Sequence, residues 1–147
     1  MTWRLSRVVA LAACGAAALG IALSAQGTAL TATSPRKGGN PEAARIPNPV
    51  PVTPDSMAAG RRTYQRLCAG CHGPEGKGDG GGAGAGGQPA DFTDEVWIFG
   101  GSPGEIYTVI RDGTSADMDS YAERISDTEI WNLVNYLRGF SPSGVRP

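Results

Sequence analysis

Three stretches of the chain repeat apolar residues with the period of an α-helix, and none sustains the alternation expected of a strand. The first runs from Ser56 to Leu67, with Met57, Ala58, Tyr64 and Leu67 set among Arg61, Arg62 and Arg66. Asp55, just after Pro54, is placed to cap it. Gly60 inside this stretch costs about 1 kcal/mol relative to alanine, a cost that makes sense where a second helix crosses closely. The next stretch opens on Ser102-Pro103-Gly104-Glu105, a capping box with proline at the first helical position. It continues through Ile106, Tyr107, Val109 and Ile110 to Gly113. The third opens on a second capping box, Ser126-Asp127-Thr128-Glu129, with Ile125 and Ile130 spaced as a hydrophobic staple. It carries Ile130, Trp131, Leu133, Val134, Tyr136 and Leu137 and ends at Gly139. The pattern predicts an all-α domain of about three helices with long loops, over residues 55–140, followed by a short tail at 141–147.

What precedes the domain is of a different kind. Arg4 and Arg7 lead into an apolar run of 18 residues, Val8 to Ala25, as in an export signal or an N-terminal membrane anchor over residues 1–25. Leu11-Ala12-Ala13-Cys14 also resembles a lipobox, against the simpler reading of Cys14 as one small apolar residue in the run. Each alternative places the folded part outside a bacterial cytoplasm. Residues 26–54 hold six prolines and no aromatic residue, which predicts a semi-extended linker rather than a packed element. Ten of the eighteen residues from Gly70 to Gly87 are glycine. No strand precedes this run and no Lys-Ser/Thr helix start follows it, so it reads as a loop and not as a phosphate cradle.

Over residues 55–140, seven Lys or Arg stand against thirteen Asp or Glu, a net charge of −6. Such a domain is a poor nucleic-acid binder. It is also thin in large apolar residues, with 22 Gly and 11 Pro in 147 residues, and a domain of this kind leans on a cofactor to complete its core. Cys68-Ala-Gly-Cys71-His72 supplies the means. Two cysteines three apart can each bond one vinyl group of a porphyrin through a thioether, and the histidine that follows can ligate the iron. A redox disulfide would require a βαβ setting. Zinc would require a fourth ligand, and the chain has one histidine, with Cys14 far away.

With His72 as the only histidine, a sixth iron ligand falls to methionine or lysine. Met57 lies eleven residues before Cys68 on the same helix, roughly 16 Å along its axis. Met118, between Ala116-Asp117 and Asp119-Ser120, remains; the alternative is a gap-filling core methionine. The lone histidine leaves no general base near the iron, so the expectation is an electron carrier, not an enzyme. The rival is a haem protein with an open sixth site for peroxide or a diatomic gas, with Asp117 and Asp119 as distal groups.

Over residues 55–140 the chain resembles a class I (monohaem) cytochrome c. The matching pieces are Gly60 and Tyr64, Cys68-Ala-Gly-Cys71-His72-Gly73, Pro89-Ala90-Asp91-Phe92-Thr93, Ile110-Arg111-Asp112-Gly113, Met118, and Trp131-Asn132-Leu133-Val134-Asn135-Tyr136-Leu137. The resemblance implies a domain of three to five helices around one covalent haem c. It further implies His72 and Met118 as axial ligands, Gly60 and Tyr64 packed against Leu133 and Tyr136, and redox proteins as transient partners or as fellow subunits. It implies a proline carbonyl on the proximal histidine, for which Pro89 is the expectation. One departure stands out: the family usually places proline after the axial methionine, where this chain has Asp119.

Overall fold

A computed structural model describes residues 34–82, 87–114 and 118–142. The expected signal or anchor with Cys14, the first residues of the expected linker, Asp117 and most of the C-terminal tail lie outside the described residues. Among those described there are five helices and no strand: α1 (Pro41–Ala44), α2 (Pro54–Leu67), α3 (Ala69–His72), α4 (Pro103–Asp112) and α5 (Asp127–Arg138). No helix among them is long and apolar enough to cross a membrane.

The helix starts follow from local side-chain chemistry. Ser102 Oγ accepts from the amide of Glu105, and Ser126 Oγ from that of Glu129, while each glutamate reaches back to its serine. Both capping boxes form where the sequence places them. The cap of α2 lies two residues earlier than expected. Thr53 is its cap, with Thr53 Oγ1 accepting from Ser56 N at 3.1 Å and Ser56 Oγ accepting from Thr53 N at 3.0 Å. Pro54 then takes the first helical position, where its missing N–H costs nothing, and Asp55 lies in the first turn instead of at the cap.

Helices α2 and α5 cross at Gly60. A Cβ there would overlap the Asn132 carbonyl and come within 2.7 Å of Tyr136 Cβ. This close approach lets Tyr64 sink completely into the core beside Leu133, Val134 and Ile130. On the other side of α5, Trp131 stacks on Tyr107 of α4, with ring centroids 4.0 Å apart and planes 10° from parallel. Ile106, Ile110 and Leu137 complete the wall between α4 and α5.

The segment expected to be an unpacked linker is, from residue 34 onward, part of this body. Ala43 and Asn40 are buried, and a Cβ at Gly104 would overlap the Ala43 carbonyl, so α1 lies directly on α4. Asn48 Nδ2 donates to Trp131 O at 3.1 Å and to Asn135 Oδ1 at 2.8 Å. The buried Asn135 returns its own amide to Val50 O, Pro51 O and Ser56 Oγ. Pro41 and Pro54 sit at the first positions of α1 and α2, where their missing N–H costs nothing. Asn135 satisfies the carbonyls of Val50 and Pro51, and Asn48 ties the segment to α5, which lets this polar stretch be covered.

Candidate functional site

Helix α2 delivers Leu67 and Cys68 to the edge of the core, and α3 turns Cys71 and His72 back toward it. The carbonyls of this short helix are taken up by the glycine-rich segment after it. Gly78 N donates to His72 O at 2.9 Å, Gly80 N to Cys71 O at 3.1 Å and Gly82 N to Gly70 O at 2.8 Å. The run expected to be only a wrapping loop is thus, through residue 82, bound to the backbone of the Cys-Ala-Gly-Cys-His turn. A side chain at Gly80 would collide with the carbonyls of Gly70 and Cys71, so the absence of Cβ atoms is what allows this close contact. Tyr64 holds the same turn from inside, its hydroxyl donating to Gly73 O at 2.5 Å.

His72 is half-buried, and its ring stacks on Phe92 with centroids 4.6 Å apart and planes 24° from parallel. Its Nδ1 lies 3.1 Å from the carbonyl of Ala90. That corrects the expectation of Pro89: the Pro89 carbonyl faces Gly78, and the next carbonyl along the chain is the one turned to the imidazole. In the tautomer protonated at Nδ1, His72 donates to Ala90 O and keeps the Nε2 lone pair for a metal. Burial lowers the pKa of His72, partly opposed by the Ala90 carbonyl, so the neutral, ligating form is favoured. Burial, reinforced by neighbouring Cys71, pushes the Cys68 thiol up to about 12. Cys68 and Cys71 are not bonded to each other.

A cavity of about 480 Å³ opens beside this turn, within the range of cofactor sites. Cys68, Cys71, His72 and Met118 all line it, together with Leu67, Phe92, Trp97, Ile106, Ile110, Leu133 and Leu137. Met118 is held near the end of α4, where Thr114 N donates to Met118 O at 3.0 Å. Tyr121, three residues on, is tied to α2 by its hydroxyl, which donates to Leu67 O at 3.3 Å. Asp119, where a proline was expected, also lines the cavity and pairs with Arg124 at 3.3 Å. Of the residues expected to be structural, Gly60, Tyr64, Leu133 and Tyr136 meet in the α2–α5 crossing, with the Tyr64 and Tyr136 rings 5.4 Å apart. The role of Ala90 and the asparagine network were missed. Ala90 carries no side-chain signal, and Asn48 and Asn135 act through contacts more than eighty residues apart in sequence.

An all-α domain that gathers a Cys-x-x-Cys-His turn and a methionine around one apolar cavity is that of a monohaem c-type cytochrome. The chain belongs to the family described as cytochrome c oxidase, cbb3-type, subunit III, whose profile matches residues 55–137. It is 42% identical over 62 residues to the cbb3-type cytochrome c oxidase subunit CcoP of Azospirillum brasilense, covering 42% of this chain and 19% of that one. It is 33% identical over 85 residues to subunit FixP of Azorhizobium caulinodans, covering 56% and 27%. The chain therefore spans about a fifth of the first of these relatives. Among solved structures, it is 33% identical to a chain of the Kuenenia stuttgartiensis reducing HAO-like protein complex, with a TM-score of 0.55 over 65% of this chain and 49% of that one. Cytochrome cL of Methylophaga aminisulfidivorans, 16% identical with a TM-score of 0.52 over 69% and 61%, shares the fold.

Haem c is the cofactor of this family, and the residues present fit it. Two cysteines and the histidine stand on one turn, and the cavity beside them is walled by aliphatic and aromatic side chains.

Proposed function

We propose that this protein is a one-electron carrier in which Cys68 and Cys71 hold haem c through thioethers and His72 and Met118 are the axial ligands of its iron. Once bound, haem c supplies a one-electron iron couple. The chain's own residues do the rest. Ala90 O fixes the orientation of the His72 ring and raises its basicity, and Phe92 restricts its rotation. Met118 offers a soft thioether, which favours the ferrous state and raises the potential. The aliphatic wall from α4 and α5 excludes water from the same site.

The observation that carries this reading is that Cys68, Cys71 and His72, on one turn, and Met118, from a segment more than forty residues further on, line one cavity. The relatives named as subunits of a cbb3-type oxidase support a role as a subunit of, or donor to, an oxidoreductase complex, with redox proteins as partners. Residues 1–25, read as an export signal or anchor, support a position outside the cytoplasm. Purified protein, denatured and weighed intact, should carry one haem that acid solvent does not extract, and should titrate as a single one-electron couple. An extractable haem or a multi-electron couple would overturn the reading. So would rapid binding of carbon monoxide by the reduced protein, which would favour an open sixth site instead.

A further inference from the structure

The segment before α2 does more than brace the domain. Arg36 to Gly39 form a tight turn, closed by Gly39 N donating to Arg36 O at 3.0 Å. Its third residue, Gly38, has φ of +85, a conformation that strongly favours glycine. Gly38 N then donates to Ile98 O at 2.7 Å, and Asn40 N to Glu105 Oε1 at 2.8 Å. The turn is thereby fixed to the lip of the cavity, and the residue at its second position, Lys37, lines the cavity itself.

Resting on the reading of this cavity as a haem site, we propose that Lys37 is a cofactor-binding residue that pairs with a haem propionate. The chemistry of the cavity walls selects it. The vinyl edge of the porphyrin is claimed by Cys68 and Cys71, so the two carboxylates on the other edge must meet a different wall. The α4–α5 wall presents Ile106, Ile110, Leu133 and Leu137, and burying a carboxylate against it would be very unfavourable. The loop that carries Met118 offers Asp119, a like charge. The wall formed by residues 97–100 and the Arg36–Gly39 turn carries Lys37, the only lysine or arginine lining the cavity among the described residues. Ile98 on this wall is 60% exposed, so the lip reaches water, as an ionised carboxylate requires.

The acids nearby do not claim Lys37. Glu105 accepts from Asn40 N, Ser102 N and Ser102 Oγ, and Asp119 pairs with Arg124. Lys37 takes part in none of the salt bridges among the described residues.

The test is potentiometric titration of the full-length holoprotein as a function of pH, for the parent, Lys37→Gln and Lys37→Arg. A cation beside a propionate favours the ferrous state and keeps the propionate ionised. Lys37→Gln should therefore lower the potential and make it fall more steeply with pH as the propionate loses its proton, while Lys37→Arg should follow the parent. Identical curves for Lys37→Gln and the parent would refute the pairing. A shift shared equally by Lys37→Gln and Lys37→Arg would also refute it, since that would point to a disturbed turn. The intact mass of each variant separates this result from failure of the haem reading, which would show as a chain without covalent haem.

Discussion

Gly60→Ala should destabilise the protein although alanine is the better helix former. By propensity alone the change would stabilise α2 by about 1 kcal/mol. The new methyl, however, would overlap the Asn132 carbonyl and lie 2.7 Å from Tyr136 Cβ, against an ordinary carbon–carbon separation of about 3.5–4.0 Å. A backbone carbonyl cannot rotate away, so α2 and α5 must move apart by close to 1 Å. That loosens the buried contacts of Tyr64 and Leu133. Overpacking costs about 1–3 kcal/mol; a clash with an immovable backbone carbonyl belongs in the upper part of that range, about 2–3 kcal/mol, so after the propensity gain a net loss of about 1–2 kcal/mol remains. At about 4–8 °C per kcal/mol for a domain of this size, Tm should fall by roughly 5–15 °C. The assay is thermal unfolding of the oxidised holoprotein followed by far-UV circular dichroism. Ala58→Gly, at an exposed position of the same helix, is the control and should lose about 1 kcal/mol through propensity alone. A Gly60→Ala protein as stable as the parent, or more so, would show that the two helices do not meet closely there.

Asn135→Ala should release the segment before α2, because it removes the partner of Asn48 and the donor to Val50 O and Pro51 O. At about 1 kcal/mol for each of these three lost hydrogen bonds, tryptic cleavage after the exposed Arg45 should accelerate by on the order of a hundredfold; an unchanged rate would refute the brace. Burial raises the pKa of Tyr64, Tyr107, Tyr121 and Tyr136 in the folded protein. A raised folded pKa contributes stability that is complete below the unfolded value, about 10, and is lost as pH rises past it. Stability should thus hold through neutral pH and decline in alkali, with tyrosinate absorbance appearing together with loss of helix; ionisation at about pH 10 in a still-helical protein would contradict this.

Much of this architecture is legible in the sequence because it is encoded locally. The two capping boxes, the apolar faces of α4 and α5 and the Cys68–His72 turn each lie within a few residues, and each forms as its spacing dictates. Gly60 is legible too, since a costly glycine within a helix asks for a crossing partner. The segment around residues 34–53 is not. Its prolines and lack of aromatics match a linker, and what makes it a brace is Asn48 and Asn135, whose pairing depends on the finished fold. The glycine-rich run is half legible: composition excludes regular structure, but not the amide donors it returns to the carbonyls of α3. The switch from Pro89 to Ala90 beside His72 is a matter of one peptide plane, set by the Pro89 carbonyl facing Gly78. No residue pattern records that.

As proposed, Met118 completes the iron site that His72 begins. The most direct measurement is the visible absorption spectrum of the oxidised protein beside that of Met118→Ala, both checked for covalent haem. Ligation by Met118 should give the parent a six-coordinate, low-spin spectrum with the weak long-wavelength band of a thioether–ferric bond. In Met118→Ala that band should vanish and the spectrum should become that of five-coordinate or water-ligated iron, open to carbon monoxide when reduced. Identical spectra for the two proteins would contradict the claim.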